Sequence, residues 1–170
     1  MAETNILETK LHDVPAPNSQ NPIPVASALI VFEGSTPDTP LVKDLRMIPP
    51  GAHVLVAASH NRTAFTLPGG KVEPSDIDRR RACARETWEE TDLTLDPDGL
   101  SEFHREVVPA ESDPSSDVDI TTFHAAGAVT GIVRAVNETR EVAMVPVFGK
   151  SPVPLSALLG GMILPMLRTA

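Results

Sequence analysis

Three glutamates, Glu86, Glu89 and Glu90, fall within a span of five residues in the run "RETWEET". On a helix turning about 100° per residue, Glu89 and Glu90 flank Glu86 inside an arc of roughly 100°. Carboxylates so crowded repel, and like charges three and four apart mildly destabilise a helix. No Lys or Arg inside the run of acids offsets them. A charge run is commonly just a solvated face. The argument for chemistry comes from upstream, where "LPGGK" (67–71) leads toward the helix. Glycine lets the backbone approach a ligand closely and frees a carbonyl to face a cation. Carboxylates plus a backbone carbonyl make an all-oxygen donor set, which suits Mg2+ or Mn2+. Such ions usually accompany a phosphate-bearing substrate.

These residues need a rigid frame. The pattern predicts a helix from about Asp76 to Thr91, with Ser75 and Asp78 at capping-box spacing. Ile77, Ala84 and Trp88 lie opposite Glu86 and are expected to form the stripe that packs on a sheet. Short apolar runs predict strands at "VASALIVF" (25–32), "HVLVAAS" (53–59) and "AFTL" (64–67). Further strands are expected at 102–108, 119–129 and 141–148, with a flexible acidic loop over 109–117. "GSTPDTPLVKDLRMIPPG" (34–51) reads as a loop or insertion. The segment 154–168 reads as a second helix, interrupted at Gly160, Gly161 and Pro165. Strands mixed with two helices indicate one α/β or α+β sandwich over 25–170. Residues 1–24, with four prolines among polar residues, read as a flexible N-terminal arm.

Composition narrows the function classes. The 170 residues carry 23 acids against 14 bases, a net charge of -9. Loose binding to DNA, RNA or anionic membrane needs clustered Lys and Arg, so polymeric nucleic acid and membrane are not expected partners. A small anionic substrate is compatible, because a bound cation reverses the local field of an acidic cleft. One cysteine, Cys83, excludes an intramolecular disulfide framework and a Cys-based zinc site. It is expected to be a small buried residue. No secretory signal is visible at the start, so a cytoplasmic or nuclear location is expected. The apolar C-terminal segment is shorter than a bilayer span and is expected to pack on the sheet. The five histidines lack paired metal spacing, and Phe65, Phe103 and Phe123 read as core. Oligomeric state stays open between monomer and homodimer.

The stretch Gly70 to Leu93 resembles the Nudix box, G-x5-E-x7-R-E-U-x-E-E-x-G-U, where U is aliphatic. Gly70 fits the opening glycine, Arg85-Glu86 the R-E pair, Glu89-Glu90 the E-E pair and Leu93 the last U. "LPGGKVEP" also resembles a common lead-in to the box. Asp76 stands where the first Glu belongs, but eight residues rather than seven separate it from Arg85. Thr87 is polar where U is usual, and Asp92 replaces the last glycine. An extra residue inside a helix would rotate everything upstream by about 100°, so it is expected before the helix or in its first turn. Asp tolerates the left-handed conformation, so Asp92 is expected to cap the helix as glycine would.

The resemblance implies an α/β/α sandwich with a mixed sheet, and hydrolysis of nucleoside diphosphates linked to another group X. It implies Glu86, Glu89, Glu90 and the Gly69 carbonyl as ligands of Mg2+ or Mn2+, with Arg85 orienting a carboxylate. Gly70 and Lys71 are expected at the substrate. A further catalytic glutamate is often recruited from outside the box, and Glu141 is the first candidate, with Glu138 its rival. Pro109, sixteen residues after Leu93, matches a spacing of the ADP-ribose subfamily. That inclines the substrate toward ADP-ribose-like compounds, then nucleoside triphosphates. The competing class is a nucleotide-binding regulatory module without hydrolysis. Loss of a box glutamate would favour it, and none is lost.

Overall fold

The computed structural model describes residues 21–110, 113–127 and 129–170. Most of the arm expected over 1–24 lies outside the described residues. Its last part does not behave as an arm, since Ile23 and Pro24 already belong to the first strand, β1 (Ile23–Leu29). The chain continues through β2 (Val31–Phe32), β3 (His53–Ser59), β4 (Gly69–Lys71) and the helix α1 (Arg79–Thr91). There follow β5 (Thr94–Leu95), β6 (Leu100–Pro109), β7 (Asp117–Ala125), β8 (Val129–Thr130) and β9 (Thr139–Pro146). A π-helical turn, Leu159–Ile163, runs into α2 (Leu164–Thr169).

A four-stranded sheet has the order β4-β1-β7-β6, in which β1 and β7 are parallel and the other pairs antiparallel. A second sheet, β2-β3-β9, is antiparallel throughout, and β5 pairs with β8. The strands β1 and β2 are separated only by Ile30, whose carbonyl accepts from the Leu55 amide at 3.0 Å and joins the two sheets. The architecture is an α/β sandwich with a mixed sheet.

Side chains alternate across a strand, so each face has its own core. Ala26, Ala28, Leu55 and Phe123 pack with Ala82 and Cys83 of α1. Leu29, Val54, Val56 and Val145 pack with Leu159, Ile163, Leu164 and Leu167 of the C-terminal segment. The helices therefore lie on opposite faces. Among the described residues, no helix is long and apolar enough to cross a membrane.

Several elements differ from the sequence pattern. Residues 64–67 make only isolated bridges, Ala57 to Thr66 and Phe65 to Leu155, and the strand forms instead on Gly69–Lys71. Glycines pair there because that backbone must pass against Ala26 and Ser27. A Cβ on Gly69 would sit 2.3 Å from the Ala26 carbonyl oxygen. The helix starts at Arg79 rather than near Asp76. Its N-cap is Asp78, which accepts from the Arg81 amide at 2.9 Å, while Ser75 lies in the loop before it. The two glycines at 160 and 161 do not end the second helix but widen it into the π-helical turn.

Candidate active site

The site is organised by Arg85. Its guanidinium donates to both carboxylate oxygens of Asp76, Nε to Oδ1 at 3.1 Å and Nη2 to Oδ2 at 2.9 Å. Nη1 donates to Glu86 at 2.9 Å and to Glu89 at 3.2 Å, and Nη2 also reaches the Lys71 carbonyl at 3.0 Å. A planar fork suits such simultaneous engagement, and charge assistance strengthens each bond. The repulsion expected along the helix is thus offset, by the residue immediately preceding the acids. Asp76 is nearly buried, with 6% of its side chain exposed, and Arg85 holds its carboxyl below the usual range. The Glu73 amide also donates to it, at 2.8 Å. The extra residue between Asp76 and Arg85 is accommodated in the loop ahead of Asp78, so α1 is continuous.

The third glutamate is held differently. Glu90 accepts from the Gly69 amide at 2.9 Å. Burial pushes its pKa up to about 7, against that amide, and the neighbouring charges of Glu86 and Glu89 add to the rise while Arg62 opposes it. Burial also raises Glu86, more than Arg85 lowers it. The Glu86 carboxylate occupies the space that a side chain at position 70 would take: a Cβ there would lie 2.5 Å from its Cδ. Gly70 is needed for this close approach.

This geometry rotates the helix away from the expected packing. Trp88 is 53% exposed and Ile77, before the helix, 81% exposed. The residues that face the sheet are Ala82, Cys83, Thr87 and Thr91. Bringing Glu86 and Glu90 against the β4 glycines turns a neighbouring stripe of small residues inward and leaves the indole outside. Cys83 is fully buried, and burial pushes its thiol up to about 12.

Acids near a helix C-terminus oppose the macrodipole, so this end needs support. Asp92 adopts the left-handed conformation at φ 60°, and its amide bonds the Trp88 carbonyl at 2.9 Å. The Arg134 and Val136 amides donate to Thr91 and Glu90 carbonyls, each at 3.1 Å. The Asn137 side chain takes the Glu89 carbonyl at 2.7 Å. All four terminal carbonyls are thereby bonded. No local pattern in the sequence marks these contacts, because their donors lie more than forty residues from the helix.

Beside β4, on the face opposite α1, lies a pocket of about 720 Å3. Ile23, Val25, Val118 and Ile120 form its floor, and Leu158, Met162 and Ile163 its roof. Gly69, Gly70, Lys71 and Arg62 line it as well, so the short glycine strand borders the pocket on one face and the acidic cluster on the other. Pro109 also lines it. Arg62 was not singled out by sequence, having no motif around it. The structure does not tie Glu141 to the cluster by any hydrogen bond. Glu141 is exposed and pairs with Ala58, which belongs to the α2-side core. His124 is buried away from the pocket, with Nε2 2.9 Å from the Val42 carbonyl. Phe65 and Phe123 are core residues and Phe103 packs against the core.

Among the described residues, no three His, Cys, Asp or Glu side chains are arranged so that they could hold a metal ion together. The donor chemistry fits a hard divalent cation nonetheless. Two partly desolvated carboxylates, Glu86 and Glu90, have raised proton affinity, and a third, Glu89, stands beside them. Added positive charge would relieve that tension.

An α/β sandwich that presents a carboxylate-bearing helix to a glycine strand defines the class, and comparison with known proteins names it. Residues 45–148 match the family model of the NUDIX domain. Among curated proteins, no match is found. Solved structures similar to this chain include a MutT NUDIX hydrolase from Burkholderia pseudomallei, at 18% identity and TM-score 0.60. That match covers 87% of this chain and 96% of the other. The MutT protein from Methanosarcina mazei Go1 is similar at 20% identity and TM-score 0.58, covering 92% and 96%. A bifunctional NMN adenylyltransferase/ADP ribose pyrophosphatase from Francisella tularensis, solved with AMP and a Mn ion, matches at 15% and TM-score 0.57. There 92% of this chain covers 43% of the larger one. The chain belongs to the Nudix family and is a Nudix pyrophosphohydrolase.

Proposed function

We propose that this enzyme hydrolyses the diphosphate linkage of a nucleoside diphosphate joined to another group, with Mg2+ or Mn2+ as cofactor. One observation carries the reading: three carboxylates are pinned by Arg85 and the Gly69 amide against a glycine strand that also lines a pocket of nucleotide-accommodating size. Glu86, Glu89 and Glu90, with the Gly69 carbonyl, would hold the cation. When bound, such a cation acidifies water and neutralises charge on phosphoryl oxygens. Arg85 keeps Glu86 and Glu89 in fixed rotamers and draws its own position from Asp76. Lys71 and Arg62 put positive charge at the same end of the pocket, where phosphates are attracted.

In the reaction a water oxygen forms a bond to one phosphorus, a carboxylate accepts its proton, and the bridging P–O bond breaks. We assign the carboxylate role to Glu86 and Glu89; Glu141, the candidate outside the box, is exposed, pairs with Ala58 and is given no part in the step. The inclination toward ADP-ribose-like substrates, then nucleoside triphosphates, rests on Pro109, which lines the pocket from β6, across the sheet from Gly70 and Lys71.

The test is a phosphate-release screen with Mg2+ or Mn2+ over ADP-ribose, dinucleoside polyphosphates, nucleoside triphosphates, NADH and nucleotide sugars. Turnover of at least one, abolished by chelator, is expected. Absence of turnover across the whole panel with either ion would sink the reading and favour a non-hydrolytic binding module.

A further inference from the structure

The pocket floor can be read strand by strand. Directly opposed residues project on the same side of a sheet. The register aligns Lys71 with Val25, Val25 with Ile120, and Ile120 with Glu106. All four line the pocket, so one row crosses it from a cation on β4 to an anion on β6. Three strand spacings of about 4.8 Å separate the ends, roughly 14 Å. Between them the floor is Val25 and Ile120, and the next row toward the outer edge is Ile23, Val118 and Val108, wholly aliphatic. The roof over this floor is also aliphatic.

Glu106 is the anomaly. It is 20% exposed at its side chain, with the aliphatic row of Val108 and Val118 on one side and the polar row of His104, Thr122 and Ser27 on the other. Its one bond among the described residues is to His104 Nε2, 3.3 Å from Oε2. The other acid among the described lining residues, Asp113, is already committed to its own turn, accepting from the Ser115 amide and from the Ser115 and Ser116 hydroxyls. A carboxylate accepts at two oxygens and donates nothing when ionised. With His104 on one oxygen, the other is left to accept donors from whatever occupies the pocket beside it.

We propose that Glu106 is a specificity-determining residue that reads the edge of the base, and that it selects guanine. This rests on the reading of the site as one for nucleoside diphosphates. With phosphates at the Lys71 end, an extended nucleoside diphosphate lies along the row and brings its base edge to Glu106. Guanine presents two adjacent N–H donors on its Watson–Crick edge and satisfies both oxygens at once. Adenine and cytosine set one donor beside an acceptor nitrogen, which faces the second oxygen with like polarity. Uracil flanks its single donor with two carbonyls. The carboxylate therefore discriminates against the adenine that the Pro109 spacing suggested.

Binding tests this without relying on turnover. Calorimetry of the full chain with GDP and with ADP should show GDP tighter by about tenfold or more, the worth of one good bidentate contact. In Glu106→Gln the carboxamide accepts one bond and donates another, which complements adenine. That variant should lose the preference or reverse it, with an unchanged melting temperature in the absence of ligand. Equal affinity of the wild-type chain for GDP and ADP overturns the proposal, as does a guanine preference that survives in Glu106→Gln. A guanine preference in binding without hydrolysis of any substrate would uphold Glu106 while sinking the catalytic reading.

Discussion

The two faces of the four-stranded sheet are built in contrasting ways. On the α1 face, charge is dense and nearly every carboxylate is tied: Asp76, Glu86 and Glu89 to Arg85, and Glu90 to the Gly69 amide. On the α2 face, a pocket of aliphatic side chains carries a few charges at its margins. Only β4, a three-residue edge strand of Gly69, Gly70 and Lys71, stands between them. Phosphate chemistry needs charges fixed before the substrate arrives, because preorganised dipoles and ions cost no reorganisation during reaction. Substrate choice needs shape and a few polar contacts. Glycine at the junction lets the Glu86 carboxylate pack directly against the strand that borders the pocket.

The comparison breaks most sharply at the tied face. Glu89→Gln keeps the shape of the side chain and removes its charge, and should lower kcat at least about a hundredfold while the melting temperature holds. Full activity in that variant would remove Glu89 from the site. Gly70→Ala probes the junction itself. The added methyl meets the flexible end of Glu86, so the fold can yield at less than about 1 kcal/mol. The displaced carboxylate should cost activity on the order of tenfold to a hundredfold, as small misplacements do. A chain with normal activity and a normal melting temperature would show that Glu86 has no fixed position to defend.

The next effect concerns stability and pH. Glu90 has its folded pKa raised from 4.5 to about 7 by burial. The folded state therefore binds more protons than the unfolded state between those values, and this contribution to stability is lost as pH rises through that window. In chelator, Glu90→Gln should melt higher than the parent at pH 8 and no higher at pH 5, by calorimetry. Equal shifts at both pH values would show that Glu90 ionises normally. The smallest effect is expected from Glu141→Gln. Glu141 is exposed, unbonded to the cluster and paired with Ala58 on the α2 side, so kcat should fall less than about threefold. A fall of a hundredfold would move the reacting water to that side of the sheet.

Much of the tied face can be read along the chain because its parts are close in sequence. The spacing of Arg85, Glu86, Glu89 and Glu90 is set by helical periodicity, and the Gly69-Gly70 turn lies within about twenty residues. The strand His53–Ser59 was legible too, as a short apolar run. The errors came where two local signals competed. Hydrophobic periodicity puts Trp88 inward, but the bond from the Gly69 amide to Glu90 and the packing of Glu86 on Gly70 outweigh one indole's burial. Capping spacing favoured Ser75, while Asp76 was drawn into Arg85 and left Asp78 as the cap.

By itself, then, the sequence determined the chemistry: a helix of carboxylates, the glycines before it, the partner arginine and the family they mark. Local spacing encodes such features, since an α-helix converts separation directly into direction. Tertiary structure alone decided how that helix is rolled, what caps its end and what the substrate meets. Arg134, Val136 and Asn137 reach the helix across more than forty residues. Lys71 and Glu106 share one row only because β1 and β7 pair in parallel between them. Such pairings join residues distant in the chain through strand register, and register has no signature in any one segment.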